Sequence, residues 1–292
     1  MNYQHHYHVG NFADIFKHLI LCLCLEKLHE KPNSFLAIDA HSSQGKYLIN
    51  HEKIAKTHEF AEGFLKILNH QNFVQTLPEK FLQILARINV CEIAELPSKI
   101  KHYAGSPIII KNFLRANDKA IFAENNPPVF LELRRNFAGN KKITCLKENG
   151  FDLLKSKLPP LENRGLILLD PAYEKHQNRI SQDYDEVLNS LKEAYKRFAH
   201  GIYLVWHPII EGEEILLSNF YQKITELKFS KIAHATFNIG KNPHNPNKMH
   251  SCGMFIINMP WQVDIKLQSY LTPILEILKN DDSAFCDIKI IK

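Results

Sequence analysis

Gly165-Leu166-Ile167-Leu168-Leu169-Asp170-Pro171-Ala172-Tyr173 is the stretch whose reading decides the fold. The apolar run is short enough for a buried strand, and Asp-Pro ends it as a turn. A carboxylate just past a buried strand, then a rigid proline and an aromatic ring, also suits a planar amine. Asp170 accepts hydrogen bonds from the amine, the Pro171 carbonyl can accept another, and Tyr173 offers a face on which a base can stack.

Outward from this strand, short β-rich apolar runs alternate with helical patterns, the signature of a parallel sheet with crossover helices. Strands are expected at 35–39, 120–124, 143–147, 166–170, 202–206, 233–239 and 253–258, with helices near 11–30, 107–117, 128–137, 184–198 and 212–227. The polar loop 240–250 has no room for a helix, so the last two strands should pair antiparallel, as a hairpin at one end of the sheet. Between 48 and 102 the alternation stops. Phe60, Phe64, Ile67 and Leu68, then Phe81, Leu82, Leu85 and Ile88, recur at helical spacing. The expectation is an α/β, Rossmann-like, seven-stranded and mostly parallel domain formed by 1–47 and 103–292, with 48–102 as an inserted helical subdomain.

Ligands of open parallel sheets bind beyond the carboxyl ends of the strands. Those ends read Asp39-Ala40-His41-Ser42-Ser43-Gln44-Gly45, then Glu124-Asn125, then Glu148-Asn149-Gly150, then Asp170. An acid after the second strand can bind two ribose hydroxyls, and a polar residue after the third can read an adenine edge. The order fits an adenosyl cofactor, and no G-x-x-x-x-G-K-[ST] phosphate loop is present.

Composition sets the outer bounds. The chain has 292 residues, 45% hydrophobic and 23% charged, with a net charge of +5 that leans slightly towards an anionic partner. The apolar stretch Leu19 to Leu25 is too short to span a bilayer, and no signal peptide is visible. Six cysteines without C-x-x-C spacing read as reduced core residues of a cytoplasmic protein. His5-His6-x-His8 has no carboxylate or cysteine beside it in sequence, so no metal site is expected.

The opening Tyr3-Gln4-His5-His6-Tyr7-His8-Val9-Gly10-Asn11-Phe12-Ala13-Asp14-Ile15-Phe16-Lys17-His18 resembles the start of the RlmJ (YhiR) family, Y-x-H-x-x-H-x-G-N-x-A-D-x-x-K-H. The resemblance extends over nearly the whole chain, through Tyr103-Ala104-Gly105-Ser106-Pro107, Trp206 with Pro208, and Cys252-Gly253-Met254. Asp170 to Tyr173 is similar to the D-P-P-Y tetrad of adenine amino-methyltransferases, with Ala172 in place of the second proline. The resemblance implies a class I methyltransferase that uses S-adenosyl-L-methionine to modify the N6 amine of an adenosine in 23S ribosomal RNA. It implies Asp170, Pro171 and Tyr173 as catalytic, and His18, His41, Ser106, Glu124, Asn149, Gly150 and Asp170 as cofactor-binding. Tyr3, His5, His8 and Lys17 would face the RNA. A monomer without membrane attachment is expected.

The chain departs from the family in its first-strand loop, where Ser42-Ser43-Gln44 replaces small residues, so Ser43 must either fit an ordinary backbone conformation or crowd the ligand. Ala172 relaxes the turn, and Asn149 stands where the family often has aspartate. A DNA adenine methyltransferase or DNA-utilisation protein, and a catalytically weakened RNA-binding relative, are the competing readings.

Overall fold

The structure is a computed structural model that describes residues 5–173, 179–245 and 248–292. Its strands are β1 (Leu36–Asp39), β2 (Lys46–Leu48), β3 (His102–Ala104), β4 (Lys119–Ala123), β5 (Ile143–Leu146), β6 (Gly165–Leu169), β7 (Ile202–Pro208), β8 (Ile232–Asn238), β9 (Ser251–Ile257) and β10 (Phe285–Ile290). Eight of them form one sheet in the order β10-β8-β9-β7-β6-β1-β4-β5. From β5 to β7 neighbouring strands run parallel, while β9 runs antiparallel to both β7 and β8.

All seven expected strands are present, and the sheet has an eighth, β10, antiparallel to β8. The hairpin is therefore not the end of the sheet. β10 escapes a sequence reading because Asp287 and Lys289 interrupt its apolar residues, as suits an exposed edge.

Side chains alternate across the central strands and divide them between two cores. Ala37, Leu166, Leu168 and Leu204 face one side, with the helix Phe12–His29, the helices between β2 and β3, and the helix Val263–Leu278. Leu36, Ile38, Ile167, Leu169 and Val205 face the other, with Gly150–Lys157, Arg179–Phe198 and Glu214–Thr225. Two of these helices were not expected. Gly150–Lys157 starts on residues that read as a strand-end loop, and Val263–Leu278 carries Pro273 inside it.

Phe12–His29 is the helix that brings the amino-terminal segment to the site. Asn11 caps it, accepting from Asp14 N at 2.8 Å. It is apolar nearly all round because it is covered on both sides, by the sheet and by the helices between β2 and β3. No helix of the described residues is long and apolar enough to cross a membrane. Between the paired strands β2 and β3, Phe64 and Phe81 pack edge-on against Tyr103, and Phe64 N donates to Gly10 O at 2.8 Å. A Cβ on Gly63 would stand 2.3 Å from that same oxygen, so glycine permits the inserted turn to lie against the amino-terminal loop.

Candidate active site

Asp39, Glu124, Asn149 and Asp170 all sit at or just past the carboxyl ends of parallel strands, at one edge of the sheet. Two cavities meet there. One, of about 130 Å³, is lined by His41, Ser43, Glu124, Asn149, Gly150 and Phe151. The other, of about 840 Å³, is lined by His8, Asp14, Lys17, Tyr173 and Trp206, among others. His5, Asp170, Pro171 and Ala172 border both, so the tetrad forms the partition between them.

On the smaller side, Glu124 is held by backbone donors, Asn126 N to Oε1 at 2.7 Å, Ser43 N to Oε2 at 3.0 Å, and the Asn125 backbone. Burial raises its carboxyl above the ordinary range. The carboxylate still has acceptor capacity for a further donor. Ser43 does not take the ordinary backbone that was one of the two courses expected of it. It takes a left-handed backbone, φ 52°, which is what aims its N–H at Glu124. Asn149 Oδ1 caps the helix Gly150–Lys157 by accepting from Phe151 N at 2.8 Å. A Cβ on Gly150 would lie 1.8 Å from Ala40 O, so the two loops touch only because this residue is glycine. His41 stands edge-on to Phe151, and its Nδ1 accepts from Asp170 N at 3.4 Å. Burial lowers that imidazole to about 4, keeping it neutral at physiological pH.

On the larger side a line of opposite charges runs through the interior. Lys17 Nζ lies 2.6 Å from Asp170 Oδ2 and 2.9 Å from Asp14 Oδ1. Asp14 Oδ2 in turn meets His5 Nε2 at 3.2 Å and accepts from Gly10 N at 3.0 Å. Burial alone would neutralise Lys17, but the two carboxylates outweigh it and raise the ammonium well above its ordinary range. Asp14 is likewise desolvated, yet Lys17 and His5 hold it well below the usual carboxylate range. His8 is half-exposed and meets Glu59 at 3.1 Å, and this carboxylate outweighs burial to raise its pKa. Tyr173 has φ 47° and donates its hydroxyl to Trp206 O at 2.9 Å, which fixes its ring against Tyr184 and Trp206.

Of the residues singled out in the sequence, His41, Glu124, Asn149, Gly150, Asp170, Pro171, Tyr173, His5, His8 and Lys17 thus gather around the two cavities. Tyr3 lies outside the described residues. His18 and Ser106 line neither cavity. His18 is fully buried with Nδ1 at 3.0 Å from Tyr103 Oη, and Ser106 hydrogen-bonds Asp39. Two residues stand out more in the fold than in the sequence reading, where Asp39 was read only as the end of the first strand. Asp14 was quoted only as part of a motif, although its spacing of three from Lys17 on a helix is a pairing signal. Asp39 ends β1 completely buried, and burial raises its carboxyl to about 6.

Buried polar atoms test the site for an adenosyl amino acid. Among the described residues four buried side-chain atoms have no hydrogen-bond partner: Glu148 Oε1, Trp206 Nε1, His18 Nε2 and Asp39 Oδ2. Such orphans are costly in a native fold unless a ligand completes them. A donor-capable ring nitrogen and a carboxylate oxygen complement the carboxylate and ammonium of a methionine moiety, while Glu124 complements a ribose. The chemistry of these atoms fits the group, although neither His18 nor Asp39 lines either cavity.

A mostly parallel, doubly covered sheet with an acid after the second strand in spatial register and Asp-Pro-x-Tyr after the central one defines a class I methyltransferase, with S-adenosylmethionine as methyl donor. The family described as ribosomal RNA large subunit methyltransferase D, RlmJ, matches residues 32–285, and the chain belongs to it. The ribosomal RNA large subunit methyltransferase J of Haemophilus influenzae is 32% identical over 272 residues, covering 93% of this chain and 92% of that protein. Its counterpart from Escherichia coli is 32% identical over 277 residues, 93% and 91% of the two chains. The crystal structure of a Legionella pneumophila protein superposes with a TM-score of 0.82 at 28% identity, covering 97% of this chain and 98% of that one.

Proposed function

We propose that this enzyme methylates the exocyclic N6 amine of an adenosine in 23S ribosomal RNA. The observation that carries the reading is the placement of Asp170, paired with Lys17 on the partition between the smaller cavity, lined by Glu124 and Asn149, and a larger open one. In the smaller cavity Glu124 would take the ribose hydroxyls, with Asn149, Gly150 and His41 around the adenine. His18, Asp39 and Ser106 would receive the methionine end. Bound there, S-adenosylmethionine supplies an electrophilic sulfonium methyl.

The target base would enter from the larger cavity, whose volume exceeds what one nucleoside needs. An adenine amine is a poor nucleophile because its lone pair is delocalised into the ring. Lys17 occupies Asp170 Oδ2, leaving Oδ1 to accept one amine hydrogen while the Pro171 carbonyl accepts the other. Both bonds favour a pyramidal nitrogen whose lone pair points across the partition. Asp170 takes the proton that the amine sheds as it gains the methyl. A base must leave its stack to reach this depth, and Tyr173, buried in the cavity wall, is assigned to replace part of that contact. His5, His8 and Tyr3 are assigned to the RNA side. We further take 48–102 as an inserted subdomain, the cytoplasm as the working compartment and the monomer as the working form.

The test is transfer of a labelled methyl group to transcribed 23S rRNA, with nucleoside analysis of the product. N6-methyladenosine in RNA, lost in Asp170→Asn, supports the reading. Label appearing only in DNA overturns the substrate, and absence of S-adenosylhomocysteine binding overturns the site.

A further inference from the structure

We propose that Lys66 binds the backbone phosphate joining the target adenosine to its neighbour, so that the larger cavity receives a dinucleotide of the RNA strand. The inference deepens the proposed function and rests on it. It starts from the carboxylates and lysines that line this cavity: Asp14, Glu59, Glu62 and Asp170, and Lys17, Lys66, Lys248 and Lys279. Every one of these carboxylates is already matched. Lys17 lies between Asp14 and Asp170, at 2.9 and 2.6 Å. Glu62 meets Lys248 at 2.6 Å, while Glu59 accepts from Asn11 Nδ2 at 2.8 Å and meets His8 at 3.1 Å. Lys279 pairs with Glu276 at 2.7 Å. Of the four lysines, Lys66 alone has no ion pair among the described residues. The cavity wall thus carries one ammonium with no acid of its own, which an entering anion completes.

The backbone under that ammonium is held in place. Ala61–Leu65 is a π-helical turn that runs into the helical turn Lys66–Leu68. The extra residue of such a turn changes which side chains face outward, and it recurs at functional sites. Ile67 and Leu68 are buried in the core, whereas Lys66 is exposed. Phe64 N donates to Gly10 O at 2.8 Å, which docks the turn on the loop leading into Phe12–His29. Lys66 is therefore tied through that loop to the helix whose Lys17 meets Asp170.

Size and charge together select the ligand. At about 840 Å³ the cavity has room beyond one nucleoside. A nucleoside is neutral and offers Lys66 no charge, whereas the strand on either side of it carries one negative charge per nucleotide. An ammonium on a flexible stem takes phosphate as a point charge. Lys66 lies on the wall and is not on the partition where the methyl group crosses, so its contact is the same before and during transfer. Such a contact lowers KM and leaves kcat unchanged.

The experiment compares wild type, Lys66→Met and Lys66→Arg, each saturated with S-adenosylhomocysteine. Adenosine and the dinucleotide adenylyladenosine compete against a labelled 23S rRNA fragment. The dinucleotide presents its one phosphate on opposite sides of its two adenosines. Wild type should bind it about tenfold more tightly than adenosine, an advantage that Lys66→Met removes and Lys66→Arg keeps. Adenosine itself should bind all three proteins within about twofold. For the rRNA fragment, Lys66→Met should flatten the slope of log affinity against log salt by about 0.7 to 0.9, the release of one counterion. In methyl transfer it should raise KM for RNA and leave kcat at saturating RNA as in wild type. No dinucleotide advantage in wild type, an advantage or a salt slope that Lys66→Met leaves unchanged, or an equal loss for adenosine overturns the inference. Wild type that transfers no methyl group to rRNA overturns instead the function on which the inference rests.

Discussion

Replacing Glu124 by glutamine isolates the cofactor-binding half of the site. The carboxylate already accepts backbone N–H groups, from Asn126 at 2.7 Å, from Ser43 at 3.0 Å and from Asn125, and has acceptor capacity left for a ribose hydroxyl. Glutamine keeps one such oxygen and turns the other into a donor facing a donor. One charge-assisted hydrogen bond to the ribose is lost, a term of about 1.5 to 3 kcal/mol. This corresponds to S-adenosylhomocysteine binding weakened roughly 10- to 150-fold, read by calorimetry. Because burial raises the Glu124 carboxyl, wild-type affinity should also decline on acidification before an ordinary glutamate would protonate, near pH 4.3, and Glu124→Gln should not share that decline. A dissociation constant within twofold of wild type would refute the ribose assignment, whatever the variant does to turnover.

Three further outcomes follow from the geometry. Asp170→Asn should retain S-adenosylhomocysteine affinity within a few-fold while abolishing transfer to RNA, and turnover at wild-type rate would sink its catalytic role. Gly150→Ala should destabilise the protein by about 1 to 3 kcal/mol or more, since its Cβ would stand 1.8 Å from Ala40 O; an unchanged denaturant midpoint would contradict the close loop contact. Asp39, an acid whose pKa is raised in the fold to about 6, contributes stability that is present below its unfolded value near 3.9 and lost as pH rises through 6. Asp39→Asn should therefore stabilise the cofactor-free protein at pH 7.5 by on the order of 2 kcal/mol, with the gain shrinking towards pH 4; equal denaturation curves at pH 7.5 would count against a strained acid there.

The sheet was legible because its central strands are apolar without interruption, and the carboxyl-end rule then placed Glu124, Asn149 and Asp170 at one edge. The line from His5 through Asp14 and Lys17 to Asp170 was not legible as a unit. Asp170 is far from Lys17 in the chain, and only the packing of Phe12–His29 on the sheet brings them together. The sequence reading gave Lys17 to the RNA, and in the fold it lines the larger cavity with its ammonium held between two acids. Ser43 and Tyr173 with positive φ were hidden for a different reason, since neither residue type signals a left-handed backbone. The strand β10 and the helix through Pro273 were lost to local composition that tertiary packing overrides.

The position of β1 between β4 and β6 also bears on how the chain is born. β1 emerges early, but its first partner, Lys119–Ala123, follows only after the whole inserted segment has been made. At 5–20 residues per second this leaves an unpaired apolar strand waiting on the order of ten seconds. The inserted helices are synthesised within that interval, and their Phe64, Phe81 and Leu85 belong to the same core as Phe16, Leu19 and Cys22 of the first helix. They can therefore collapse locally onto that helix and shield it before any sheet exists, a cover formed by the nascent chain itself. Ribosome-stalled chains ending just before β4 should accordingly show protease protection of the first helix that is lost when 49–101 is deleted, and equal cleavage of the two would rule the idea out.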